Sequence, residues 1–216
     1  MGLERIECKD REEWLAAREK IGVGASEVAA ICGMSPWMTS MDLWRLKTGK
    51  DKPKDISDNA AVQQGVRMEP ALREFFKSLH PEFQIEYHAF DILRQHERPH
   101  FFATLDGELV DKNGRRGILE IKTCTPKKGK DGWSEWANGN MKPAYYVQVM
   151  AQLLATGYDF AYLFAALYSI NGDITLKEYS IEREDVKDDL EWVKSKQDEF
   201  WRYIETNAIP PMCLTL

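Results

Sequence analysis

Apolar residues recur at helical spacing in the first part of the chain and predict a group of short helices. Asp10 and Glu13 form a capping box before the first of these helices, and Ser40 is the expected cap of the third. The polar and charged stretch 50–58 predicts an exposed loop after them. The three helices are expected at about 10–20, 25–32 and 41–48.

A fourth helix is predicted over about 60–79, where the apolar residues again keep helical spacing. Pro70 lies inside this segment, removes one amide donor and disfavours helical geometry at the preceding Glu69. A kink or a fresh helix start is therefore expected at Pro70. The apolar residues that define the buried side are Met68, Leu72, Phe75, Phe76 and Leu79.

Alternating and continuous apolar runs replace the helical pattern in the middle of the chain. They predict strands at about 83–93, 101–111, 116–123, 160–168 and 173–180. Helical spacing returns at about 143–155 and 182–206. Helices, strands, a helix, strands and a helix in this order predict an α/β fold, with a central mixed β-sheet flanked by helices and an N-terminal helical region.

Composition narrows the class of protein. The 216 residues are 44% hydrophobic, enough for the core of one domain. A net charge of −6 argues against a protein that coats nucleic acid through general positive charge, although a local basic surface or a metal ion can still neutralise phosphates. The four widely spaced cysteines are expected to be reduced thiols in a cytoplasmic protein. The N-terminus is charged and no long apolar run occurs, so we expect no signal peptide and no membrane-spanning helix.

Three charged residues carry the candidate chemistry. Asp106 lies at a turn, and Glu120 and Lys122 follow in an apolar strand. Because alternate side chains of a strand share a face, Glu120 and Lys122 are expected to point to the same side. Carboxylates hold Mg²⁺ or Mn²⁺, with the Ile121 carbonyl as a third ligand, and a lysine can position a water. The pattern predicts metal-dependent hydrolysis of a phosphodiester; the alternative is a surface salt bridge beside a strand end.

Two helices offer further polar residues. Glu69 lies at the edge of an apolar helix face and is either a fourth carboxylate over the metal site or a solvated acid. Tyr145, Gln148 and Gln152 share one stripe of the helix at 143–155. This stripe either binds the scissile phosphate and water or is the solvent side of the helix.

The loop at 124–141 combines lysines with tryptophans. Such a loop can hold a DNA backbone and stack on bases, but the favoured interpretation is that its aromatic residues pack against the domain or a neighbouring subunit. The residues concerned are Lys127, Lys128, Lys130, Trp133 and Trp136.

Five sequence blocks, taken in order, resemble the YqaJ-like viral recombinase family, which includes phage lambda exonuclease and lies within the PD-(D/E)XK nuclease superfamily. The resemblance covers about residues 14–165. It implies a restriction-endonuclease-like core at about 59–180 within a single exonuclease domain, between an N-terminal helical region (1–58) and a C-terminal helix (182–206). The blocks are Ile21–Trp44, Gly65–Pro70, Ala103–Gly107, Leu119–Lys122 and Tyr145–Gln148.

The same resemblance implies an activity. Members of the family are Mg²⁺-dependent 5′→3′ exonucleases that digest double-stranded DNA to mononucleotides and leave 3′ single-stranded overhangs for recombination. Two metal ions per active site are expected, with Mn²⁺ as an alternative. The implied partners are linear duplex DNA with 5′-phosphate ends, two further copies of the chain in a ring-shaped homotrimer, and a single-strand annealing protein. A phage or prophage protein acting in the bacterial cytoplasm is expected.

Residue roles follow by position from the resemblance. Asp106 and Glu120 bind metal, Glu69 joins them through water, Lys122 serves the nucleophilic water, and Gln148 lies beside it. Arg18, Ser26 and Thr104 fall where relatives hold the 5′-terminal phosphate, and Tyr145 is expected to contact DNA. A guanidinium and two hydroxyls suit a phosphate, because they supply a charged fork and further hydrogen-bond donors.

Other readings remain open. A related PD-(D/E)XK endonuclease or a CRISPR-associated exonuclease would use the same three charges, but the iron–sulfur versions of the latter need a cysteine cluster that this spacing does not provide. In the hypothesis without enzymatic activity, the protein is a catalytically inactive scaffold that binds DNA ends. The intact set of Asp106, Glu120 and Lys122 disfavours it.

Overall fold

The computed structural model describes residues 2–126, 135–136, 139–169 and 171–211. Within these ranges nine strands form two sheets, and helices pack on and between them. This arrangement confirms the expected α/β class. Of the helices that the described ranges contain, none is both long enough and apolar enough to cross a lipid bilayer.

The first sheet has four short strands in the order β1, β4, β5, β2. Its strands β1 and β4 pair antiparallel, as do β4 and β5, whereas β2 is parallel to β5. The N-terminal region therefore contributes two strands as well as helices. The strands are β1 (Leu3–Ile6), β2 (Val23–Gly24), β4 (Ile92–Gln95) and β5 (Phe101–Ala103).

The second sheet has five strands in the order β3, β6, β7, β8, β9. Its central strands β7 and β8 are parallel over eight residue pairs, and the other neighbours are antiparallel. The predicted central mixed sheet is therefore present. The strands are β3 (Gln84–Glu86), β6 (Gly107–Val110), β7 (Arg116–Cys124), β8 (Phe160–Tyr168) and β9 (Ile174–Glu182).

Two predicted strands were wrong in the same way. The segment 83–93 contains β3 and the start of β4, and the segment 101–111 contains β5 and β6, so each passes from one sheet to the other. In each segment apolar residues occur in the strands on both sides of the break. The apolar pattern therefore does not show where the chain leaves one sheet and joins the other. The break at residues 104–106 places Asp106 between the sheets.

The N-terminal helices follow the prediction closely, with one correction at a cap. Thr39, and not Ser40, caps the third helix: the Thr39 hydroxyl accepts from the Asp42 amide at 3.1 Å, and the Asp42 carboxylate accepts from the Thr39 amide at 2.9 Å. Ser40 is the first, buried residue of that helix. The helices are α1 (Arg11–Ile21), α2 (Val28–Ile31) after a 3₁₀ turn at Ala25–Glu27, and α3 (Ser40–Lys47).

Helix α4 (Ala60–Leu79) is one continuous helix, so the fresh start expected at Pro70 was wrong. Pro70 is exposed, and packing on the opposite side holds the helix together there. Leu72 and Phe76 are buried against the second sheet. Phe75 and Leu79, which were expected on the buried side, stay largely exposed.

Helix α5 (Pro143–Thr156) occupies the centre of the molecule. It contacts β4 and β5 of the first sheet and β7 and β8 of the second. The closing helix α6 (Lys187–Glu205) follows a 3₁₀ turn at Arg183–Val186 and packs on α5. Leu190, Val193 and Phe200 on this helix are buried, and Val186, just before it, and Ile204 pack partly buried against the same core.

Among the lysines and tryptophans named in the loop at 124–141, Trp136 is the one that the structure describes. Its side chain is 1% exposed, and its ring lies 5.8 Å from Tyr145 and 6.2 Å from Tyr179. This tryptophan therefore packs in the core and is not available to stack on a base. The remaining residues of that prediction, Lys127, Lys128, Lys130 and Trp133, lie outside the described residues.

Candidate active site

One cleft of about 310 Å³ gathers most of the predicted site residues. Its walls come from α1, the turn before α2, α4, the β5–β6 connection, β7 and α5. The predicted residues that line it are Arg18, Ser26, Glu69, Thr104, Asp106, Glu120, Ile121, Lys122 and Gln148. The other lining residues are Trp14, Ala25, Gly65 and Thr123.

Asp106 is fixed through both its side chain and its main chain. Its carboxylate accepts a hydrogen bond from the Ile121 amide at 2.7 Å, which joins the β5–β6 connection to β7. Its main-chain carbonyl accepts from Arg73 Nε at 2.5 Å. The carboxylate therefore has a defined position beside the strand that carries Glu120 and Lys122.

Glu120 and Lys122 share one face of β7, as the strand period predicts. The Glu120 side chain is almost fully buried, and its Oε1 lies 2.5 Å from Lys122 Nζ. Gln148 donates to the same oxygen at 2.6 Å, and Gln152 donates to Oε2 at 2.5 Å. Because α5 is buried between the sheets, the stripe with Gln148 and Gln152 is not the solvent side of the helix.

Electrostatic interactions couple these groups. Burial raises the pKa of Asp106 well above its ordinary range, and the nearby negative charges of Glu120 and Glu69 raise it further. Burial acts to lower the pKa of Lys122, but the charges of Glu120 and Asp106 outweigh burial and raise it. The lysine is therefore a cation, and it offsets only part of the negative charge around it.

Glu69 faces the cleft and is not a solvated helix acid. Its carboxylate accepts from Arg73, one helical turn along α4, at 2.5 Å. Burial raises the pKa of Glu69, against the lowering effect of Arg73. The Arg73 guanidinium also lies 3.5 Å from the centre of the Tyr87 ring, so this arginine ties Glu69 and Asp106 to a packed position.

Arg18 lies at another part of the cleft with Thr104 and Ser26. Its guanidinium lies 4.5 Å from the Trp14 ring centre and 5.1 Å from that of Phe102. It makes no hydrogen bond or ion pair with any described residue. Burial lowers its pKa, against the raising effect of the Glu27 carboxylate. The Trp14 indole donates to the Thr104 hydroxyl at 3.0 Å. This wall of the cleft therefore presents a cation that forms no ion pair with any described carboxylate.

Tyr145 differs from the other predicted residues because it does not line the cleft. Its ring centre lies 5.2 Å from Lys122 Nζ and is stacked on the exposed Trp37 at 6.2 Å. The structure therefore places Tyr145 in contact with the lysine and leaves its expected contact with DNA a prediction.

The sequence itself decides the family. Residues 13–159 match the model of the YqaJ-like viral recombinase domain, which is more than half of the chain. The chain belongs to the YqaJ-like viral recombinase family.

Solved structures share the fold of this YqaJ-like domain. The alkaline exonuclease LHK-Exo from Laribacter hongkongensis is 21% identical, with a TM-score of 0.60 over 90% of this chain and 95% of its own. Its complex with dAMP gives a TM-score of 0.62 at the same identity and coverage. A phage-related exonuclease from Haemophilus somnus 129PT is 13% identical, with a TM-score of 0.54 over 86% of this chain and 96% of its own. Among curated proteins none matches the chain.

The donor set of the YqaJ-like domain suits a hard divalent cation. Asp106 and Glu120 present carboxylate oxygens to one cleft, and burial together with nearby negative charge, which a cation would offset, raises the pKa of Asp106. In the described parts of the chain, no three His, Cys, Asp or Glu side chains converge closely enough to bind a metal on their own. Main-chain oxygen, water and substrate oxygens would therefore complete the coordination.

Two residues of the site were missed as functional candidates. Trp14 precedes Arg18 by four residues, and Arg73 follows Glu69 by four, so helical spacing alone could have placed each beside its partner. Gln152 was recognised as part of the stripe on α5. Its contact with Glu120 could not be inferred, since it depends on how α5 packs against β7.

Proposed function

We propose that the protein is a divalent-metal-dependent 5′→3′ exonuclease that digests double-stranded DNA to mononucleotides and leaves 3′ single-stranded overhangs. One observation supports the proposal above the others. A single cleft holds the Asp106, Glu120 and Lys122 constellation together with the Arg18 guanidinium. A hydrolytic centre beside a phosphate-binding cation suits an enzyme that cuts next to a strand end.

Arg18 favours a terminal phosphate over an internal one. A terminal phosphate carries more negative charge and an additional unesterified oxygen, so it gains more from a guanidinium in a partly enclosed site. Ser26 and Thr104 supply hydroxyls at the same wall of the cleft. We propose that these three residues bind the 5′-phosphate.

The reaction is attack of water on phosphorus, with formation of one P–O bond and release of the 3′-oxygen. Lys122, as a cation, donates a hydrogen bond to the attacking water and offsets charge on the phosphate. Gln148 lines the cleft beside it and orients the Lys122–Glu120 pair. The proton from water is transferred to solvent and the leaving oxygen is protonated. Loss of the 3′-oxygen creates a new 5′-phosphate, which the Arg18 pocket can bind in the next step.

We assign the metal to Asp106 and Glu120, with the Ile121 carbonyl as a further ligand and Glu69 acting through water. Mg²⁺ is the expected ion and Mn²⁺ a substitute, because both prefer oxygen ligands. We expect two ions per site. Bound metal would lower the pKa of a coordinated water and stabilise charge on the phosphate.

The proposed assembly is a ring-shaped homotrimer that acts with a single-strand annealing protein during phage-type recombination in the bacterial cytoplasm. The charge of the chain supports a ring. A net charge of −6 gives little general attraction to DNA, and a closed ring can remain on its substrate without it.

The decisive experiment is digestion of linear duplex DNA labelled at either the 5′ or the 3′ end, with Mg²⁺ and with EDTA. We expect metal-dependent release of the 5′ label as a mononucleotide, while the 3′ label stays on long strands. A covalently closed circular duplex serves as the control and should remain intact.

Each of the other possible results would indicate a different activity. Cutting of the circular control would identify an endonuclease. Binding of DNA ends without cleavage under any metal would identify an inactive scaffold. Release of the 3′ label first would reverse the proposed polarity.

A further inference from the structure

A buried amide on α5 touches the active-site carboxylate from the side opposite the cleft. Gln152 is 0% exposed and does not line the cleft, yet its Nε2 lies 2.5 Å from Glu120 Oε2. Among the described residues, the hydrogen bond that its side chain makes to the candidate centre is the one to Glu120.

The orientation of this amide follows from its partner. An ionised carboxylate only accepts hydrogen bonds, so Gln152 must turn its NH₂ group toward Glu120 and its oxygen away. That oxygen, Gln152 Oε1, is buried and has no hydrogen-bond partner among the residues that the structure describes. Burying an unpaired acceptor costs stability, and an apolar side chain of similar volume would avoid the cost. A glutamine at this position supplies a hydrogen bond to Glu120, which an apolar side chain could not do.

The two oxygens of Glu120 have different surroundings. Oε1 is next to Lys122 and Gln148, which both line the cleft, whereas Oε2 contacts the buried Gln152. We infer that Gln152 is a positioning residue, which anchors the inner oxygen of Glu120 and leaves the outer oxygen to bind the divalent metal. This inference rests on the proposed function of the cleft.

Loss of the anchor should weaken metal binding without changing any residue that lines the cleft. With Gln152 in place, Glu120 is fixed through the oxygen that does not face the cleft. Without it, the carboxylate would be held only through Oε1, by Lys122 and Gln148, and this is the same oxygen that is proposed to bind the metal. Partners that orient metal ligands typically account for a 10- to 100-fold difference in metal affinity or activity. We expect an effect of that size here.

The test compares Gln152→Met with Gln197→Met. Methionine has a similar length and no N–H donor. Gln197 is a matched control because it is 1% exposed, lies on α6, and accepts a hydrogen bond from Arg98 at 2.9 Å. The dissociation constant for Mn²⁺ is measured on the DNA-free protein by electron paramagnetic resonance. We expect Gln152→Met to raise it by roughly 10- to 100-fold and Gln197→Met to leave it unchanged.

Two additional measurements keep the result interpretable. Thermal unfolding in EDTA shows whether each variant is folded. If Gln152→Met does not fold, Gln152→Asn retains an amide but is shorter by one methylene, ~1.5 Å, so it should lose the contact and show the same weaker Mn²⁺ binding. The Mn²⁺ concentration that gives half-maximal DNA cleavage should rise in parallel.

A folded Gln152 variant with the wild-type dissociation constant for Mn²⁺ would overturn the inference. Failure of the proposed function gives a different result, since the wild-type protein would then neither bind Mn²⁺ in the cleft nor cleave DNA. Equal weakening by the Gln197 control would show a general effect on stability and would also reject a positioning role for Gln152.

Discussion

At the scale of single residues, Lys122 is the group whose removal should separate catalysis from binding. Lys122→Ala removes the cation next to Glu120 and Asp106. Because a fixed donor that stabilises charge in the transition state typically contributes about 10²–10³-fold, we expect the rate of cleavage to fall by about that factor. Binding of duplex ends, measured by fluorescence anisotropy in Ca²⁺, should persist.

A nearby lysine provides the control for that change. Lys142 is similarly half-buried and pairs with Glu135 at 3.2 Å, but it does not line the cleft. Lys142→Ala should therefore cleave at close to the wild-type rate. Near wild-type cleavage by Lys122→Ala would remove this residue from the mechanism.

Arg18 should determine the response to the chemistry of the DNA end. Arg18→Met removes a guanidinium that forms no ion pair with any described residue. A hydrogen bond to a charged group contributes about 1.5–3 kcal/mol, so digestion of 5′-phosphorylated ends should slow by roughly 10- to 100-fold. Ends with a 5′-hydroxyl should slow much less. Equal slowing of both substrates in a single-turnover assay would reject the phosphate pocket.

The residues that sequence could predict are those whose relation is local. Glu120 and Lys122 follow from the strand period, and the shared cleft confirms their common face. Asp106 could be placed near them because a turn and a hairpin join the two segments. Gln152 contacts Glu120 from another element, and no periodicity along one segment encodes that contact.

At the scale of elements, the two sheets are joined by a buried ionic network. Glu108 on β6 accepts from Arg5 on β1 at 2.5 Å, from Arg116 on β7 at 2.8 Å, and from the Tyr158 hydroxyl. Arg5 also pairs with Asp91 at 2.7 Å. Since β1 belongs to the first sheet and β6 to the second, Glu108 links both sheets close to the active-site connection.

This network predicts a dependence of stability on pH. Burial acts to raise the pKa of Glu108, but hydrogen bonds from Tyr158 and Arg5 outweigh it, so the pKa is lowered from its ordinary value of 4.5. A carboxyl whose pKa is lower in the folded protein stabilises the fold fully above the unfolded pKa and loses this effect as pH falls through the folded pKa. Glu108→Gln should therefore lower the free energy of unfolding by about 1.5–3 kcal/mol at pH 7 and by less in acid.

Urea denaturation between pH 3 and pH 7 tests this expectation, with Glu182→Gln as the control. Glu182 pairs with Arg115 at the surface, and such pairs contribute little. A Glu108→Gln variant as stable as the wild type at pH 7 would show that the network is not a net source of stability.

The helices and strands show where prediction from the apolar pattern succeeds and where it fails. Helix α4 and strand β8 were placed correctly, because each has a long, uniform apolar pattern. The division of residues 83–93 and 101–111 between two sheets could not be predicted, because strand partners are chosen by tertiary packing and both neighbours are apolar. Sequence alone therefore predicted a mixed sheet and missed the first, smaller one.

At the scale of the whole molecule, the ring proposal predicts both a mass and a mode of action. Size-exclusion chromatography with light scattering should give about three times the 25.0 kDa mass of the chain. In the presence of excess unlabelled trap DNA, each bound molecule should continue to digest its strand, because a closed ring cannot leave the middle of a duplex. A monomer that digests long strands under the same conditions would contradict the ring.

The connection between the sheets has one more consequence, concerning the size of the product. Thr104, at the wall with Arg18, and Asp106, at the proposed metal site, are separated by a single residue, the buried Leu105. Two residues span at most ~7 Å, which is the length scale of one nucleotide. If the strand end and the metal bind where we propose, the backbone from Thr104 to Asp106 fixes the distance between them. The enzyme would then remove one nucleotide at a time, whatever the base.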